Sequence, residues 1–138
     1  MRGAALVLAA LLAGCGPSPH AGAPALEIDL GADAPIDHGP QGGIHVALHG
    51  RCRGLGDPIT VDYGLRDADT GESLSYLGLH DVLHVDSGAD ADWDTFDGLR
   101  ARFSDDDASL YTGRRVVVWA RASGDGQSAD FNQTITVR

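Results

Sequence analysis

The chain contains no lysine: all ten of its basic residues are arginine, set against twenty acids of which eighteen are aspartate. The resulting formal charge of -10 argues against a nucleic-acid binder, because such a surface repels phosphate backbones and anionic headgroups and favours cations or basic proteins. The arginine and aspartate bias is what a GC-rich coding sequence yields, and by itself points to no activity. Cysteine is scarce, at positions 15 and 52 alone, which excludes a disulfide-stapled scaffold. No apolar run is long enough to cross a bilayer, since the longest, Ala4 to Ala13, falls well short of the roughly twenty residues a spanning helix needs. Neither a GxSxG nor an HExxH motif occurs, and no nucleophile, base and orienter stand out together. Beyond the amino end no segment carries convincing helical spacing, which argues against a helical bundle or an α/β fold.

What is present begins with Met1-Arg2-Gly3, a short positive segment followed by the apolar run, the shape of an export signal. Leu12-Ala13-Gly14-Cys15 then resembles the lipobox of bacterial lipoproteins, in which small residues let a processing peptidase close around the backbone before the cysteine. That resemblance implies a diacylglyceryl group on the Cys15 thiol, removal of residues 1–14 as a signal peptide, and acylation of the new amino terminus. The membrane would then be a partner through lipid alone. Each buried methylene is worth about 0.8 kcal/mol, so one chain holds marginally while two or three hold firmly. Gly16 stands where an aspartate would mark retention at the inner membrane of Gram-negative bacteria, so the resemblance implies the outer membrane, on its periplasmic or surface face. With Cys15 lipidated, Cys52 has no partner for a disulfide within one chain.

Residues 15–24, "CGPSPHAGAP", combine proline stiffness with small solvated side chains and read as a tether. The remainder, 25–138, has the size of one domain, and 43% hydrophobic residues is too many for a disordered tail.

Within 25–138 the apolar residues recur with period two, which predicts strand after strand. Leu26, Ile28 and Leu30 share one face; so do Ile44, Val46 and Leu48, then Ile59, Val61, Tyr63 and Leu65. "SLSYLGL" is expected as a strand with a bulge near Leu77, and "HDVLHVD" is a candidate eighth. Leu99, Ala101 and Phe103 follow a long acidic loop; "RRVVVWARA" reads as a central strand apolar on both faces, and Phe131, Ile135 and Val137 line the last one. The Asp and Gly residues of "DADTGE" and "SGDGQS" supply two tight turns. The expectation is a single antiparallel β-sandwich of about seven strands. "DDASLYTGRRVVVWA" resembles the tyrosine corner of immunoglobulin-like sandwiches, with Tyr111 as the corner residue. Gly113 replaces the cysteine of antibody domains, so the resemblance implies a generic immunoglobulin-like or fibronectin-like sandwich. A small β-barrel is the alternative.

Several residues are candidates for chemistry. Cys52 lies between two arginines that would favour a thiolate, yet strand alternation puts it on the buried face with Ile44, Val46 and Leu48. His45 with His49, and His80 with His84, sit four apart; on a strand that separates their α-carbons by about 13 Å, so neither pair alone chelates copper or zinc. "DSGADADWDTFDG" offers hard oxygen ligands for calcium at Asp90, Asp92, Asp94 and Asp97, without the glycine or the bidentate glutamate of an EF-hand. Alternatively these aspartates form a solvated loop with Trp93 and Phe96 tucked onto the sheet. "HGPQGGIHV" brings Gln41 and His45 to one end of a strand through a glycine turn, with no lysine or helix to make a phosphate cradle. The expected function is therefore non-catalytic binding or structural association by a monomeric, lipid-anchored envelope protein, with an envelope protein as its partner. Divalent-cation binding and an envelope hydrolase are the alternatives.

Overall fold

The computed structural model describes residues 18–138. The expected signal segment, Cys15 and the first residues of the expected tether lie outside that range. Nine strands follow: β1 (Ala25–Ile28), β2 (Asp33–Ala34), β3 (Asp37–His38), β4 (Ile44–Arg53), β5 (Ile59–Asp67), β6 (His80–Leu83), β7 (Asp94–Arg102), β8 (Arg115–Gly124) and β9 (Gln127–Val137).

These strands build two sheets. In the first, β4 runs between β7 on one side and the short β1 and β3 on the other, all antiparallel. The second has the order β2-β9-β8-β5-β6, antiparallel except where β2 joins β9 in parallel. The chain changes sheet after β1, β2, β4, β6 and β7, and β8 returns to β9 as a hairpin. The result is the all-β sandwich that the alternation predicts.

Period-two patterning accounts for the core. Ile44, Val46, Leu48 and Cys52 of β4 face Ile59, Val61, Tyr63 and Leu65 of β5 and Val116, Val118, Ala120 and Ala122 of β8, all buried. Apolar area removed from water on both inner faces is the main stabilising term. The β8–β9 turn places Asp125 and Gly126 at φ 50° and 70°, the paired positive values of a type I′ hairpin. Between β7 and β8, Tyr111 stacks on Phe103 with ring centroids 4.1 Å apart, and its hydroxyl accepts the Asp105 N–H at 3.1 Å. The expected corner is thus tied to the backbone a few residues upstream. A single 3-10 turn, Ala108–Leu110, precedes it, capped by Asp107.

Two elements differ from the alternation pattern. "SLSYLGL" is not a continuous strand: Ser73 bridges Arg66 in the second sheet, Ser75 bridges Phe103 beyond the end of β7, and Leu77 is 90% exposed. The segment steps from one sheet edge to the other, so no single face exists for its apolar residues to share. In the opposite sense, β7 starts at Asp94, inside the stretch expected as a loop. Leu48 pairs with Leu99 but Gly50 pairs with Phe96, so Asp97 and Gly98 together oppose His49 alone. This bulge breaks the parity and hides the first half of the strand.

Candidate functional site

The same bulge borders a cleft of about 800 Å³ where β1, β4 and β7 meet the segment after β6. Gly50 must be small here, because a Cβ would lie 2.3 Å from the Glu27 carbonyl oxygen and 2.9 Å from the Phe96 ring. Buried Ile28 and Phe96, with half-buried Leu30, give the cleft an apolar part. Charged side chains surround it in pairs. Arg51 binds Glu27 through Nε at 2.7 Å and Nη2 at 2.6 Å, and His49 Nε2 lies 3.1 Å from Asp29 Oδ2. His84 and Asp86 add a further base and acid from the facing segment. Thr95, the one hydroxyl in the lining, donates to the Asp86 backbone carbonyl at 3.4 Å.

The acidic stretch beside the cleft does not bring its four candidate calcium ligands together. Asp94 is fully buried on β7, and its carboxylate accepts the His20 backbone N–H at 2.9–3.0 Å while His20 Nδ1 lies 2.7 Å away. Asp90 accepts the Asp92 N–H at 2.8 Å and faces Arg51 at 3.9 Å. Asp92 is exposed, and Asp97 turns outward at the bulge to accept the Gly98 N–H at 2.6 Å. Among the described residues, no three His, Cys, Asp or Glu side chains are arranged to hold a metal ion. Phe96 joins the core as expected, whereas Trp93 lies between two guanidinium groups, those of Arg51 and Arg53, each 4.5 Å from the ring centroid.

The histidines separate likewise. His80 pairs with Asp62 at 2.6 Å and His84 with Asp57 at 3.2 Å, each on its own strand or loop partner. His45 is half-buried opposite Asp37 and Arg102, and desolvation lowers its pKa, so the neutral imidazole is favoured. Gln41 is exposed at the tip of the Gly39–Gly43 turn, closed by the Gly39 N–H to Gly43 carbonyl bond at 2.7 Å, and no hydrogen bond joins it to His45 among the described residues. Gly43 lies against the Arg102 guanidinium, where a Cβ would stand 2.8 Å from Nε unless that side chain moved.

Cys52 is buried and free, and desolvation first, then the nearby Asp94 charge, push its thiol up to about 12. Alternation therefore wins over the flanking arginines, whose charges rest on Trp93. Sequence reasoning missed His20, which it placed in a solvated tether. Its partner lies 74 positions away, and no local pattern announces such a contact.

Comparison with protein-family models, with curated proteins and with solved structures finds no match to this chain.

Proposed function

We propose that the chain is an exported protein anchored at the cell envelope by lipid on Cys15, and that its sandwich domain works by binding or structural association. The observation that carries the reading is Leu12-Ala13-Gly14-Cys15 at the end of a ten-residue apolar run, followed by a short linker and a folded domain. The cleft beside Gly50 supports the binding half. Its mixed charge and apolar base suit a partner that presents basic and apolar groups together, in keeping with the net charge of -10. Intact-mass analysis of native material is expected to show a chain beginning at Cys15 and carrying acyl mass. Retention of residues 1–14, or a bare thiol at the terminus, overturns the proposal. Cys15→Ser is expected to shift the protein from the membrane to the soluble fraction. Crosslinking in envelope extracts is then expected to capture one recurring partner, lost on Asp29→Arg, which reverses an acidic charge of the cleft lining.

A further inference from the structure

Residues 18–24 do not leave the domain at Ala25; His20 holds them against it. The His20 carbonyl accepts the Gly54 N–H at 2.8 Å just past β4, while its backbone N–H and Nδ1 both reach the Asp94 carboxylate at the start of β7. The seat is shaped for this strap: Gly54 has φ 72°, and a Cβ on it would lie 2.5 Å from the Gly22 carbonyl oxygen. The imidazole is sandwiched between two acceptors. Nδ1 faces Asp94 Oδ1 at 2.7 Å and Nε2 faces the Ala91 carbonyl oxygen at 2.8 Å. A carbonyl has no proton to give, so Nε2 must donate to Ala91; against an ionised Asp94 carboxylate Nδ1 must donate too, and the ring that satisfies both acceptors is the imidazolium.

We propose that residues 18–24 are a reversible latch, closed by protonated His20 on the buried Asp94 and released when His20 loses its second ring proton. The proposal concerns the folded domain and stands whether or not Cys15 carries lipid. Deprotonation removes one of the two ring donors and leaves the Asp94 charge, which has no exposed surface, without its counter-ion.

The groups around the ring agree. Asp94 on β7 and Asp90 in the preceding loop favour the charged imidazole, first through the Asp94 hydrogen bond, and raise its pKa above the usual 6.5. Asp57 and Asp125 line the hollow that also contains His20. Desolvation of the ring opposes them; Arg51 and Arg53 at the end of β4, the nearby cations, are both turned onto Trp93, and Arg53 also stands beside Gly22. Cys52, paired with Asp94 across the strands, stays neutral throughout. Because the folded value is raised, the latch contributes fully below about pH 6.5 and is lost as pH climbs through the folded value.

The test is nuclear magnetic resonance of the full chain from pH 5 to pH 9, following the His20 ring nitrogens, the Gly54 amide and the heteronuclear NOE of residues 18–24. A single transition above pH 6.5 is expected, with the NOE falling as the ring loses its proton. His20→Gln is expected to give the low-NOE state at every pH, and so is Asp94→Asn. Should Asp94→Asn not fold, His20→Gln on the partly exposed side of the pair still decides. A segment that remains rigid while His20 titrates, or a ring that titrates below pH 6.5, overturns the proposal, as does an unchanged NOE in His20→Gln.

Discussion

Single side chains decide where charge is held in this molecule, and Asp67 is the clearest instance. It ends β5 buried, and its carboxylate accepts the N–H groups of Asp69 at 2.8 Å and Thr70 at 2.9 Å while the Arg114 guanidinium closes on it. The Thr70 N–H, then Arg114, hold its pKa down to about 2, against an ordinary value of 3.8. A carboxyl with a depressed folded value stabilises above the unfolded value and loses that contribution as acid is added. The urea midpoint is therefore expected to fall as pH goes from 4 to 2, and Asp67→Asn should flatten that fall while lowering stability at neutral pH. Cys52 shows the same principle from the other side. Two neighbouring cations favour a thiolate, but burial outweighs charges that are directed onto an indole.

At the scale of the element, the corner between β7 and β8 joins packing to hydrogen bonding through one pair of rings. Tyr111→Phe keeps the stack on Phe103 but removes the acceptor for the Asp105 N–H, at a cost of about 1 kcal/mol. Phe103→Ala opens a cavity at a fully buried site and should cost about 3–5 kcal/mol, both measured by urea unfolding. A comparable loss for the two variants would place the weight of the corner on the hydroxyl instead. This corner was legible in advance, as were β4, β5 and β9, because each of these strands keeps one parity over its whole length and parity is what a two-faced sheet reads; β8 was legible as a strand, but it buries one face only, Val116, Val118, Ala120 and Ala122, where both faces were expected to be apolar. The first half of β7 was hidden because Gly98, at φ 86°, sits in a bulge that flips the inward set from Asp94 and Phe96 to Leu99 and Ala101. The four aspartates looked alike in the sequence for the same reason. Only the fold separates Asp94, pointing in, from Asp97, pointing out.

Across the whole molecule, the folded unit begins earlier than apolar periodicity indicates. A chain shortened to start at Ala25 loses every His20 hydrogen bond to Asp94 and leaves a carboxylate with no exposed surface unpaired. It is expected to melt at a lower temperature than a chain starting at Ser18, and Asp94→Leu should recover part of the difference; equal melting temperatures would show that the strap adds nothing to stability. Fastening at residue 20 also sets a length. With lipid on Cys15 as proposed, five residue steps reach the docked His20 and ten reach Ala25, which at about 3.4 Å per step is a leash of about 17 Å against one of about 34 Å. Closing the strap would halve the height to which the body can rise from the bilayer, so acidity alone would decide whether it patrols close to the headgroups or reaches outward.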